Sequence, residues 1–293
     1  MRVTTSQAQR AQLDYIQSNL QRLVKAQDQA ATGKRFQKGS EDPAAAADVL
    51  RADSTLAANT QYLRNGDLAI GRACEEDRVL NSLQLITERA RDLASQQANA
   101  TADAGTRLIA KAEVDQLIDA AIGLGNTRFN NGFLFGGTRE LEQPMTVAPP
   151  YIANPAALGN PRFEVADGQL SAPNHNAHEI FIDSGVMQAL RDLSDALGTN
   201  NVPGITNAMP ALATASDRVG RLLGETGARV NQYETIKSQM LVATLDTRVR
   251  RSMIYDIDLT EAAANFAQAQ SAYQAALSAA NRVLNLNVMD YLR

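Results

Sequence analysis

The stretch LTEAAANFAQAQSAYQAALSAANRVLNL, residues 259–286, decides how the chain is read. Its apolar residues Leu259, Ala262, Phe266, Ala269, Tyr273, Ala276, Ala280 and Val283 recur in alternating steps of three and four, with no Pro or Gly between them. That spacing keeps one side of an α-helix apolar, in the pattern of a coiled-coil seam. A seam needs a partner, and the opposite end of the chain offers one. SQAQRAQLDYIQSNLQRLVKAQDQAAT, residues 6–32, sets Leu13, Ile16, Leu20, Leu23 and Ala30 on the same rhythm, with Gln27 in one slot. The residues expected to meet partners on these terminal seams are Leu13, Ile16, Leu20 and Leu23 at one end. At the other end they are Leu259, Phe266, Tyr273, Leu277, Val283 and Leu284.

The charges of the two ends agree with pairing. Residues 1–40 carry seven basic side chains against two acidic ones, a balance of +5, whereas residues 255–293 carry two basic against four acidic, a balance of −2. Opposite signs favour association. The seams are thin, however. Residues 259–281 contain ten alanines, and each buries little area at roughly 25 cal/mol per Å². Ordering a backbone costs about 1 kcal/mol or more per residue. The sequence therefore predicts that the ends close fully only among neighbouring subunits, and that the free monomer is ordered from about residue 43 to residue 253 with mobile termini.

Between the ends, helical patterning continues. Thr4, Thr5 and Ser6 offer N-cap oxygens for the first helix, and Gly33 is a natural C′ residue. Asp42-Pro43 reads as the cap and first residue of a second helix. Val49, Leu56, Leu63 and Ile70 follow at seven-residue spacing, and Cys74, Leu80, Leu83, Ile86, Ala90 and Leu93 continue the stripe. Asp103 caps a third helix with Leu108, Val114, Leu117, Ile118, Ala121 and Leu124 on one face. Residues 139–185 hold six of the nine prolines and short alternating pieces, Phe163-Glu164-Val165 and Ile180-Phe181-Ile182, that read as brief strands. A short helix is expected over 186–197, a loop over 198–204, and a long helix from about Pro210 to Met253. Gly220, Gly224 and Gly227 inside it cost roughly 1 kcal/mol each in helix propensity, which implies close approach of a neighbouring backbone.

The fold class expected is mainly α: long antiparallel coiled-coil helices with N- and C-terminal segments paired, plus a small β-rich inserted domain. The expected divisions are 1–42 with 254–293, 43–138 with 186–253, and 139–185.

Composition narrows the function. A net charge of −4 is too small to imply a nucleic-acid partner. No run of eighteen apolar residues exists to span a membrane, and the start of the chain lacks the apolar core of a cleavable secretory signal. One cysteine excludes an intramolecular disulfide framework. Gly33-Lys34 falls short of a phosphate loop, because Asp28 stands where the upstream glycine belongs and Arg35 replaces Ser/Thr. His175 and His178 read as a loose surface pair lacking a full metal-ligand set. Cys74 reads as a small core residue. Gly132-Phe133-Leu134-Phe135-Gly136-Gly137 lacks nucleotide-fingerprint spacing, and its phenylalanines read as anchors of a turn. Nothing builds a case for catalysis, a cofactor or a metal.

Taken in order, several motifs resemble the bacterial flagellin superfamily, and within it the hook-associated proteins of the hook–filament junction. They are Ala31-Thr32-Gly33-Lys34-Arg35-Phe36, Ser40-Glu41-Asp42-Pro43-Ala44, Tyr62-Leu63-Arg64-Asn65, Asn126-Thr127-Arg128 and Asn131 to Gly137. On the return come Gly227-Ala228-Arg229-Val230-Asn231, Asp256 to Ala262, and Ala279 to Leu286. Asp42-Pro43 and the turn formed by Phe133, Phe135, Gly136 and Gly137 look more like the junction proteins than flagellin. The resemblance implies a structural protein of the flagellum, with the terminal helices in an inner tubular layer and the β insertion facing outward. The partners it implies are flagellin, the first hook-associated junction protein, further copies in a ring-like segment, and a type III export chaperone. It places the protein outside the cell, exported without a cleavable signal. A flagellin and a non-flagellar coiled-coil adaptor stand as alternatives.

Overall fold

The computed structural model describes residues 5–99, 102–147, 151–152 and 159–291, the side chains of residues 5, 6, 8, 9 and 283–291 excepted. Among these residues six α-helices dominate: α1 (Thr5–Thr32), α2 (Pro43–Gln97), α3 (Ala104–Gly125), α4 (Val186–Gly198), α5 (Val202–Tyr255) and α6 (Leu259–Tyr291). Two small antiparallel hairpins lie between α3 and α4. One pairs β1 (Arg128–Phe129) with β2 (Gly132–Phe133), and the other pairs β3 (Phe163–Ala166) with β4 (Gln169–Ser171). This is the mainly α architecture with a small β portion that the periodicities predict.

The helix ends follow local chemistry. Gly33 takes φ +66°, the left-handed conformation that glycine adopts without a Cβ penalty, and closes α1 by donating from its N–H to Gln29 O at 2.9 Å. The Asp42 carboxylate accepts from the Ala45 N–H at 3.0 Å, and Asp103 accepts from the Thr106 N–H at 2.7 Å. Each satisfies an orphan donor of the first helical turn.

Three local readings change. Residues 180–182 are not a strand but part of a π-helical turn, His178–Asp183. The reason is a reciprocal cap: the Glu179 N–H donates to Asn176 Oδ1 at 2.8 Å while the Asn176 N–H donates to Glu179 Oε2 at 3.1 Å. α5 begins at Val202, not near Pro210, because Asn201 caps it by accepting from the Gly204 N–H at 3.1 Å. Among the described residues, no atom beyond the neighbouring turns of α5 lies within 4 Å of a Cβ placed at Gly220, Gly224 or Gly227, so no close backbone explains them there.

The chain forms two compact units, Met1–Ala58 with Ala243–Arg293, and Asn59–Val242. In the first, α1 packs on α6. A short antiparallel bridge pairs Lys34 with Asp256, and it carries hydrogen bonds from Arg35 N–H to Tyr255 O (2.8 Å) and from Ile257 N–H to Gly33 O (3.0 Å). Beside it Phe36 is buried edge-on to Tyr255, with ring centroids 5.2 Å apart.

The second unit holds the main core. Leu80, Leu83, Ile118, Leu190, Leu193, Leu197 and Leu212 are buried in one cluster. Met145 and Tyr151, between the hairpins, and Ile180 and Phe181, after the second one, are buried in the same cluster. Phe135 and Phe181 meet edge-on at 6.0 Å. The β3–β4 hairpin has its own small cluster, in which Val165 packs with Ala69 and Tyr233.

Candidate assembly face and the clasp of the second unit

On α6 the covered positions are Ala262, Phe266, Ala269, Tyr273, Ala276 and Ala280, six of the eight positions that the spacing places on one stripe. On α1 the covered edge runs Gln12, Ile16, Asn19, Leu23, Ala26 and Ala30, so Ile16 and Leu23 keep their expected places. Leu13 (59% exposed) and Leu20 (42%) lie on the neighbouring edge with Val24 (49%), and Leu259 and Leu277 are also exposed. The side chains of Val283 and Leu284 lie outside the described residues. Along part of the α1–α6 line small and amidic side chains face one another, with Arg22 and Lys25 beside them. Asn19, Ala26 and Gln29 meet Asn265, Gln268, Ala269 and Ala272 around a groove of about 300 Å³.

The exposed edge of α1 leads into a second groove of about 410 Å³, where Leu20, Val24 and Phe36 form an apolar floor. Lys25, Lys34, Lys38 and Glu41 surround it. Lys25 and Glu41 are paired at 3.3 Å. Lys34 Nζ lies 2.6 Å from Asp256 Oδ1 and 4.6 Å from the centroid of the Tyr255 ring. The hydrogen bond from Lys34, helped by one from Ser252, outweighs partial desolvation and holds the Asp256 carboxyl below the usual carboxylate range.

The glycine-aromatic turn is built into the second unit. Phe135 is fully buried, Phe133 half-buried, and Gly137 adopts φ +62°. A Cβ at Gly136 would stand 3.0 Å from Arg139 O and from Glu140 Cα, so the backbone there leaves no room for a side chain. The turn is held by Arg72 of α2, a residue the sequence reading passed over. Its Nη1 pairs with Glu140 at 2.6 Å, Nη2 donates to Leu134 O at 3.2 Å, and Nε donates to Asn174 Oδ1 at 3.1 Å. The rings of Phe129 and Phe163 flank the guanidinium at 5.9 and 5.8 Å. A planar fork of donors can hold three separate segments at once, and a guanidinium stays charged when buried.

Two readings of single residues are corrected nearby. His175 is buried, not a loose surface residue, and contacts Glu76, Glu225 and Arg229. Only His178 is accessible, paired with Asp183 at 3.0 Å. Cys74 is exposed, and the core stripe of α2 passes instead through Ala73, which is fully buried. A helix offers 100° per residue, so a stripe read one position off lands on solvent. Among the described residues no group of three or more His, Cys, Asp or Glu side chains is arranged to hold a metal ion, and no helix is long and apolar enough to cross a membrane.

Residues 3–140 match the model of the bacterial flagellin N-terminal helical region. Over an alignment of 318 positions the chain is 22% identical to flagellar hook-associated protein 3 of Escherichia coli (strain K12), covering 99% of each. It is 21% identical over 302 positions to flagellar hook-associated protein 3 of Salmonella typhimurium, covering 94% of each. Among solved structures it is similar to a putative flagellar hook-associated protein of Vibrio parahaemolyticus, with TM-score 0.65 and 18% identity over 73% of this chain and 99% of that one. Bacillus cereus FlgL gives TM-score 0.59 and 17% identity over 69% and 99%. The chain thus has the fold of the flagellar hook-associated structures, and its residues 3–140 match the helical region at the N-terminus of bacterial flagellins.

Proposed function

We propose that this protein is a structural subunit of the bacterial flagellum that forms the junction between hook and filament and presents the surface on which flagellin assembles. The observation that carries the reading is the α1–α6 pair. Its covered seam is mostly alanine and amide, while Leu13, Leu20, Val24, Leu259 and Leu277 remain on the outside. Such a pair is suited to being covered by other subunits. The similarity to flagellar hook-associated protein 3 along nearly the whole chain supports the location.

In this reading the neighbours are further copies in a ring-like segment, flagellin on one side and the first hook-associated junction protein on the other. The protein reaches its place outside the cell by type III export with a chaperone. Its job is mechanical, and catalysis has no part in it.

The test is a deletion strain of the source bacterium complemented with this chain or with a Leu20→Asp, Val24→Asp double variant. The deletion is expected to leave hooks in place and release unassembled flagellin into the medium. The native chain should restore filaments and the double variant should not, although both melt alike as purified monomers, because exposed substitutions change stability by only about 0.5 kcal/mol. Filaments that form in the deletion strain, or normally on the double variant, would overturn the reading.

A further inference from the structure

The second unit contains a buried histidine whose two possible partners on α5 exclude one another. His175 sits in the segment 172–177, which is covered between α2 and α5. Its Nδ1 lies 2.7 Å from Glu76 Oε1, and its backbone N–H donates to the same oxygen at 3.0 Å. Glu76 is fully buried, so Nδ1 donates to a carboxylate that has no water to turn to. The other ring nitrogen, Nε2, is contested. Arg229 Nη2 stands 2.8 Å away and can only donate, while Glu225 Oε2 stands 3.1 Å away and can only accept when ionised. A neutral ring with its proton on Nδ1 has a lone pair on Nε2, which suits Arg229 and gives Glu225 no donor from the ring. A charged ring has a proton on Nε2, which suits Glu225 and repels Arg229.

We propose that His175 is a proton-operated clasp, in which gain or loss of one proton transfers Nε2 between Glu225 and Arg229 and so changes how the 172–177 segment is held to α5. Glu225 and Arg229 are one helical turn apart on α5, so the transfer needs only side-chain movement. The same recess is lined by Glu179 and Asp183 from the π-helical turn and by Arg218 and Arg221 from α5, with Arg72 one step away through Asn174. Arg218 is engaged with the Asp183 carbonyl at 2.9 Å, which leaves the exchange to Glu225 and Arg229.

The balance favours the charged ring. Burial lowers the His175 pKa, but the hydrogen bond and charge of Glu76, with the hydrogen bond of Glu225, outweigh burial and the opposing charge of Arg229, and the net shift is upward. A raised pKa means that the clasp contributes its full stabilisation below the ordinary histidine range. That contribution is lost as pH rises through the folded value.

The experiment is an imidazole NMR titration of the full chain, with His178 as the internal reference. Glu225→Gln should move the His175 midpoint down and Arg229→Gln should move it up, each leaving His178 in place. The neutral ring should read as the Nδ1–H tautomer. Glu225 has a largely exposed side chain, 61% accessible, so its variant keeps the fold. Amide protection of residues 172–177 in the native chain should fall as pH passes the His175 midpoint. Two shifts of the same sign, no shift in either variant, or a neutral Nε2–H tautomer would overturn the proposal.

Discussion

The terminal pair α1–α6 and the core of the second unit follow the same three-and-four spacing, yet only one of them makes a dense interior. In the second unit the seam positions are Leu80, Leu83, Leu190, Leu193 and Leu212, all fully buried. In the terminal pair the buried positions are Ala26, Ala262 and Ala280, while Ile16, Leu23, Phe266 and Tyr273 are only half-covered. Spacing says that a side of a helix is to be covered. Side-chain volume says whether one partner helix is enough to cover it. A leucine seam closes within one chain, whereas an alanine seam leaves apolar area to be covered by something else.

The sharpest way to break this contrast is to cut the same kind of side chain in both places. Phe181→Ala in the second unit should cost about 3–5 kcal/mol, because it removes a fully buried ring that packs on Phe135 and leaves a cavity. In calorimetry that is a fall in Tm of about 10 °C for a unit of this size. Arg72→Met should cost about 2–3 kcal/mol, because Asn174 Oδ1 loses its donor and Leu134 O loses one of two. The loss should appear in the same transition. Phe266→Ala should weaken only the α1–α6 pair, by about 1–2 kcal/mol for a half-covered ring. It should show as faster proteolysis of the termini in monomer, with the main transition unmoved. A main transition lowered as much by Phe266→Ala as by Phe181→Ala would end the distinction between the two regions. The smallest effect has the opposite sign. Gly224→Ala should raise the main transition by about 0.5–1 kcal/mol, since its Cβ would meet nothing within 4 Å and helix propensity alone remains. A fall in Tm there would mean that the glycine has a neighbour in the free chain after all.

The expectation that the monomer's termini stay mobile belongs to the same contrast. The structure pairs α1 with α6, so the question is how firmly. Limited proteolysis of verified monomer answers it. Early cuts in residues 5–32 and 259–282, with the second unit intact, are expected, and equal resistance of both regions would show the alanine seam to be stronger than its area suggests.

Much of the outline was legible in advance because it rests on local rules. Asp42, Asp103 and Gly33 end or start helices through their own backbone geometry and side-chain reach, and the α6 stripe needed only counting. Where a local rule has a competitor, spacing alone misassigns the element. The Asn176/Glu179 reciprocal cap turned an apolar triplet, Ile180 to Ile182, from strand into helix, and Asn201 started α5 eight residues before Pro210. Both signals stood in the sequence as a polar residue three positions ahead of its partner.

What the sequence determined by itself is the set of helices, their caps, and the presence of a seam at each end, since each depends on residues within a turn or two of one another. Tertiary structure decided which of two apolar edges of α1 faces α6, leaving Leu13 and Leu20 outside. It decided that Cys74 looks to solvent while Ala73 looks inward. It also brought Arg72 to Leu134, Glu140 and Asn174, and Glu76 to His175, across separations of 62 to 102 residues. Spacing along a helix fixes only angles about its own axis. Which angle is covered, and which buried charge finds its partner, depends on where distant segments come to rest.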